Sequence, residues 1–162
     1  MPAILTESGR EAVAAAINNQ PIYLAWGTGD VAWDAAKPTE AVNTTALTAE
    51  VGRRKLTQSM FCTPKTDGEI IVSLGRFTAS PNNAPTKYLY LRFAYDFGDA
   101  AGQAIRELGV FVGTTLKPGV TGTDYVLPAQ VDAPGRLLVL EYIDKLTRTA
   151  QIRQQFEFVI QF

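Results

Sequence analysis

Strand follows strand in this sequence, with no helical segment between them after residue 21. The segment "IYLAW", Ile22 to Trp26, reads as a strand that the turn "GTGD" ends. "RKLTQSMFCT" and "GEIIVSLGRF" are two more candidates, joined by "PKTDG", whose Pro, Asp and Gly are turn formers. "SPNNAP" is a further turn. "KYLYLRFAYDF" then places Leu89, Leu91, Phe93, Tyr95 and Phe97 on one face and Tyr88, Tyr90, Arg92, Ala94 and Asp96 on the other. "GDAAG" leads to "QAIRELGVFVG". After the loops "KPGVTGTDY" and "DAPG" come "RLLVLEYI" and "RQQFEFVIQF". The pattern predicts about seven strands. Parallel strands need crossover segments of a dozen or more residues, so the sheet is expected to be mainly antiparallel. The expected class is α+β, mainly β: a short N-terminal helix packed on an antiparallel sheet or β-sandwich.

The helix lies ahead of these strands. Thr6 or Ser8 can cap it, and Ser8 and Glu11 have capping-box spacing. Ala12, Val13, Ala16 and Ile17 give it an apolar stripe, and Asn18, Asn19 and Pro21 stop it. So short a helix is stable only when its stripe lies on something else. Residues 30 to 48 have no steady period and read as a long loop anchored at Trp33. The 162 residues suit one domain, 1–162, with a real core.

Composition closes several routes to function. The formal net charge is −1, so there is no basic surplus for a polyanion, and no nucleic-acid partner is expected. No apolar run approaches the ~20 residues of a membrane span, and the start of the chain has no basic-then-apolar leader. No membrane contact is expected, and folding in a cytoplasm is. A single cysteine, Cys62, excludes an internal disulfide and reads as a small buried hydrophobe. The absence of histidine removes Ser–His and Cys–His nucleophile pairs and the commonest metal ligand. "WGTGDVAW" lacks the Lys-Ser or Lys-Thr of a phosphate loop. Asp30, Asp34, Asp96 and Asp99 could supply a carboxylate pair, but all sit in or beside turns, where Asp is common for local reasons. No catalytic residue, cofactor or metal is expected. Tyr23, Trp26 and Trp33 cluster near the long loop and could form an interface or cover one end of the core.

Inside "QAIRELGVFVG" one local anomaly stands out. Arg106 and Glu107 sit side by side where the strand should enter a core. Adjacent strand residues face opposite ways, so the two cannot pair with each other. Glu50 is the expected partner of Arg106, and Arg53 or Arg54 that of Glu107.

Three stretches in order carry a family resemblance: "LTESGREAVAAAINNQPIYLAWGTGD", "TALTAEVGRRKL" and "IRELGVF". Together they resemble the N-terminal domain of tail-collar fibre proteins of contractile-tailed phages, Mu-like phages among them. "IRELGVF" is the most specific piece. The resemblance covers roughly residues 4 to 112, so 1–112 is the tail-collar-fibre-like region. Residues 113–162 add a longer loop and two further strands, which suggests a stand-alone relative: an adaptor, baseplate component, tail-tip or neck subunit. The resemblance implies a non-enzymatic virion protein of the tail, assembled in the host bacterial cytoplasm, whose partners are other phage tail or baseplate proteins. It also implies a homo-oligomer, a trimer for a fibre or a hexamer or dodecamer for a ring. Carried over by position, the structural and docking residues are Thr6, Gly9, Leu47, Glu50, Arg53, Ile105, Arg106, Glu107, Leu108 and Gly109. Two rival readings remain: a carbohydrate-binding module using Trp26, Trp33 and Asp30, and a hydrolase using Asp30 and Asp99.

Overall fold

Thr6 starts the one α-helix by the expected means. Its Oγ1 accepts from the Gly9 amide at 3.2 Å, and helix α1 then runs Glu7–Asn18. The capping-box partner Ser8 instead touches the Thr6 hydroxyl. The buried face also differs from the expected stripe. Ala14 is fully buried, with Arg10 and Ile17 partly so on the same face, while Ala12, Val13 and Ala16 are exposed. The small Ala14 marks the buried face, and the larger Val13 is left outside.

The computed structural model describes residues 1–162. The strands are β1 Ile22–Gly27, β2 Glu50–Lys55, β3 Gln58–Pro64, β4 Ile70–Val72, β5 Gly75–Ala79 and β6 Tyr88–Tyr95. They continue with β7 Ala104–Val112, β8 Thr115–Leu116, β9 Tyr125–Val126, β10 Val131–Ala133, β11 Arg136–Thr147 and β12 Gln154–Gln161. The recorded pairings are antiparallel, and the fold is mainly β with one N-terminal helix, as the run of strands without crossover segments requires.

Two of the expected strands are each two strands. "RKLTQSMFCT" breaks at Leu56 and Thr57, so that β2 and β3 lie in different sheets. "GEIIVSLGRF" folds back at Ser73 and Leu74 into the β4–β5 hairpin, with Gly75 at φ 141°. Only glycine enters that region freely, and this was the available sign of a turn. Further short strands, β8, β9 and β10, appear in the segment read as loop.

The chain divides into two compact units. The first comprises residues 1–20, 57–93 and 156–162. Its sheet has the order β12-β6-β3-β5-β4. Leu89, Leu91 and Phe93 are fully buried, as their alternation predicts. The other face of β6 is covered too: Tyr90 joins Cys62, Ile70, Phe77 and Val159 in one cluster. Phe158 meets Phe93 edge-on at 6.2 Å, so β12 contributes apolar groups to both faces. Phe97 lies beyond the end of β6 and is exposed. The second unit, residues 21–56 and 94–155, has a sheet of order β11-β7-β1-β2-β9 and the small β8–β10 ribbon. Every residue of β1 is buried, and it is flanked by β7 and β2.

Burial pushes the Cys62 thiol up to about 11. An unfolded thiol ionises near 8.5, so the unfolded chain loses this proton first as pH rises. The stability contributed by the neutral buried thiol should therefore be present below that pH and decline above it. Denaturation at rising pH should show a steeper loss for the native chain than for Cys62→Ala. A thiol reagent at pH near 8 should react with Cys62 only after denaturant is added.

Candidate functional site

The motif residues of the second unit come together around one buried carboxylate. Glu107 on β7 is fully buried. Its Oε2 accepts from the Thr48 amide at 2.9 Å and its Oε1 from the Ala49 amide at 2.7 Å. A carboxylate desolvated in this way is costly unless such donors replace water. The pairing register puts Gly27 directly opposite Glu107. A side chain at Gly27 would overlap both the Glu107 carboxylate and the Ala49 carbonyl. The glycine that ends β1 therefore makes room for the charge that holds the start of β2.

Two residues along β7 the interlock repeats with apolar groups. Gly109 faces Leu47, and a β-carbon there would lie 3.0 Å from Leu47 Cδ2 and 2.8 Å from Leu137 Cδ1. Leu47 packs with Ala25 and Phe111, and Leu137 and Leu140 lie against them. The Leu-x-x-Glu segment is thus joined to the Glu-Leu-Gly segment by one polar and one apolar contact. Ile105 and Leu108 are buried.

The expected charge pairs take other partners. Arg106 Nε and Nη2 meet Asp34 Oδ1 and Oδ2 at 2.6 and 2.9 Å, and its Nη1 donates to the Thr28 carbonyl at 3.0 Å. Glu50 instead holds Arg53 of its own strand, both bonds being 2.8 Å. Arg53 is buried over the Phe111 ring at 4.3 Å and also donates to Thr114 Oγ1 and the Pro134 carbonyl. Arg54 bonds Asp99 at 3.2 Å. The pairing of Arg106 with Glu50, and of Glu107 with Arg53 or Arg54, is therefore corrected. Glu50 and Arg53 are close enough along β2 to satisfy each other, and backbone amides satisfy Glu107. The missed partner, Asp34, sits in an aperiodic loop 72 residues away, where sequence carries no spacing signal.

The other singled-out residues have separate places. Thr6 and Gly9 belong to the first unit, where a β-carbon at Gly9 would lie 2.9 Å from Leu5 Cδ1. Tyr23 and Trp26 are core residues. Trp26 stacks on Tyr95 with ring centroids 3.5 Å apart, and its Nε1 donates to Tyr125 Oη at 3.0 Å. That hydroxyl occupies the space a side chain at Gly52 would need. Trp33 is partly exposed against Tyr142, at 4.7 Å. A surface made jointly by Tyr23, Trp26 and Trp33, or a sugar site built on Trp26, is not what this arrangement provides.

Each acid has a local task. Asp30 caps a short 3-10 turn at the Ala32 amide, 2.8 Å away. Asp96 accepts from the Phe97 amide and Arg153. Asp99 accepts from the Asp96 amide at 2.7 Å. Buried Arg148 donates to the carbonyls of Asp96, Asp99 and Ile152. The structure contains no cluster of three or more metal-ligating acids or thiols.

The long loop lies along β11. Besides Asp34, Glu40 Oε1 accepts from the Tyr142 amide at 2.9 Å, and Lys37 meets Asp144 at 3.1 Å. The Arg106 hydrogen bonds hold the Asp34 carboxyl below its usual range, and the Tyr142 amide does the same for Glu40.

The family described as "Baseplate wedge 3 tail fiber network component" has a model that matches residues 2–162 of the chain. No curated protein matches it.

Two measurements check this geometry. Glu107→Ala takes the acceptor from the Thr48 and Ala49 amides and should destabilise the chain by about 1–3 kcal/mol in urea denaturation. Glu107→Gln should also destabilise, because its amide group cannot accept at both positions. Asp34 and Glu40 should stay ionised, and the loop closed, to a lower pH than ordinary exposed carboxylates. Their lowered values mean that this stability is present above the ordinary carboxylate range and is lost as pH falls below it, through the lowered values. The check is a pH titration of Trp33 fluorescence in a Trp26→Phe background, in which Asp34→Asn should move the transition.

Proposed function

The chain belongs to the baseplate wedge 3 tail fiber network component family, a family of bacteriophage tail structural proteins, and from that premise we propose that it is a passive joint of the baseplate. It binds neighbouring tail proteins and, in the finer reading, holds a fibre or similar part to the baseplate. The observation that carries this reading is the use of its charged motif groups. Glu107, Arg53 and Arg106 are all buried and hydrogen-bonded within the chain, which suits a structural use of these groups. Such groups fix a shape, and the shape is what neighbours recognise.

The outer surface supports the same reading. Helix α1 turns Val13 outward together with Ala12 and Ala16, and Ile4 and Leu5 before it are exposed as well. Grouped apolar side chains of this kind mark contact surfaces. The loop over residues 30–48 offers Val42, and the Leu127 turn offers a further apolar group. Assembly of several copies, as a trimer or as a ring, belongs to this proposal, and so does kinship with tail-collar fibre domains.

Gold-labelled antibody on intact particles, viewed by electron microscopy, tests the assignment. Label at the distal end of the tail is the expected result. A phage carrying a stop codon in this gene should yield particles whose baseplates lack fibres or fail to form. Label at the head–tail junction, or complete particles without the protein, would overturn the proposal.

A further inference from the structure

Arg53 and Arg54 are adjacent on β2, so their side chains leave opposite faces of the strand. Arg53 gives its Nε and Nη2 to the Glu50 carboxylate. Arg106 gives the same pair of atoms to Asp34. Arg54 differs. Its Nη1 meets Asp99 at 3.2 Å, but its Nε is buried and has no hydrogen-bond partner. A buried donor left without an acceptor is costly, and one on a charged group more so. Native proteins hold few such groups.

A cavity of about 160 Å³ lies beside this side chain, lined by Arg54, Ala94, Tyr95, Asp96 and Arg153. One water needs roughly 10–15 Å³ of such space, so the cavity admits a larger polar group. Arg153 is mostly exposed, with its Nε on Asp96 Oδ1 at 3.0 Å and its guanidinium over the Phe97 ring at 5.0 Å. A third cation, Arg148, is buried close by. It donates to the carbonyls of Asp96, Asp99 and Ile152 and to no carboxylate.

The acids around the cavity are already engaged. Asp99 accepts from Arg54 and the Asp96 amide, and Asp96 accepts from Arg153 and the Phe97 amide. Glu50 is held by Arg53. Arg54, Arg148 and Arg153 therefore stand against Asp96 and Asp99 alone, which leaves one positive charge in excess. Partial burial keeps that charge from being fully screened. A water accepts from the Arg54 Nε but leaves the charge uncompensated. A carboxylate does both, through the fork that Arg53 and Arg106 already use.

We propose that the cavity between Arg54 and Arg153 is a carboxylate site, filled in the assembled tail by an Asp or Glu side chain of a neighbouring tail protein. This rests on the assembly role, which supplies a protein neighbour rather than a free acid. The carboxylate takes the Arg54 Nε on one side and the Arg153 guanidinium on the other.

Nuclear magnetic resonance of the isotope-labelled chain reads the site through the Arg54 Nε–H signal, which its loss in Arg54→Lys assigns. Sodium acetate is titrated against sodium chloride at equal ionic strength. The signal should move to saturation with acetate, half-saturating below about 100 mM, and should not move with chloride. Arg153→Ala, a change at an exposed side chain, should weaken acetate binding by about threefold or more. In phage, Arg153→Glu should cut incorporation of the chain into particles by about tenfold, read by the antibody label, while the purified variant keeps the spectrum of a folded chain. A signal that ignores acetate, or follows chloride equally, would overturn the proposal and leave water as the group that completes the Arg54 Nε. Acetate binding unchanged by Arg153→Ala would overturn it too. Acetate binding with full incorporation of Arg153→Glu would rule out a neighbour's acid as the occupant. Absence of label for the native chain would overturn the assembly role and that occupant together, while the acetate titration still decides the site.

Discussion

A buried negative charge with no cation bonded to it organises the second unit. Glu107 has given up water for the amides of Thr48 and Ala49. Those two donors sit just ahead of β2, so the charge is accommodated only when that segment is in place. The cost of leaving the carboxylate unsatisfied is what makes the position of β2 definite. Gly27, opposite in register, supplies the space. From this point the rest follows along the strands: Leu47 drops onto Gly109, Phe111 supports the Arg53 guanidinium, and Arg53 reaches Thr114 and the chain beyond β10. The adjacent Arg106 works on the opposite side of β7 and pins the long loop through Asp34.

This arrangement separates two kinds of work. The charged residues of the motifs stabilise one conformation, and the residues left on the outside are loops, strand edges and small apolar groups. A tail component of the baseplate family has to present the same surface in every copy. A core in which each buried charge has a single way to be satisfied favours one register over its neighbours, because a shift by one residue would leave Glu107 facing the wrong side.

The class of the fold was legible because it depends on local pattern. Alternation over Leu89, Leu91 and Phe93, the turn residues of "SPNNAP", and the Thr6 cap all act within a few residues of themselves. The split of β4 from β5 was less legible, since "IIVSLGRF" has strand composition throughout and only Gly75 marks the fold-back. The helix face was misread because Ala14 is small and Val13 is not, and hydrophobicity ranks them the other way from close packing. In the site, the importance of "IRELGVF" could be seen from its side-by-side charges. Its partners could not be read, because Asp34 and the Thr48 and Ala49 amides reach it only through the tertiary fold. A backbone amide as a partner leaves no trace in residue type at all.

Gly27, Gly52 and Gly109 share one property: the space above each is filled by side chains from elsewhere in the chain, Glu107, Tyr125, and Leu137 with Leu47 in turn. In evolutionary terms such positions are tied to the groups above them. A larger residue at Gly52 becomes tolerable only where Tyr125 has already shrunk, and a β-carbon at Gly109 only where Leu137 and Leu47 have both given way. The intermediate with one change is poorer than either end. Related sequences should therefore vary at these positions jointly or stay fixed at both, while the exposed loop residues around them drift freely and let the same scaffold meet different neighbours.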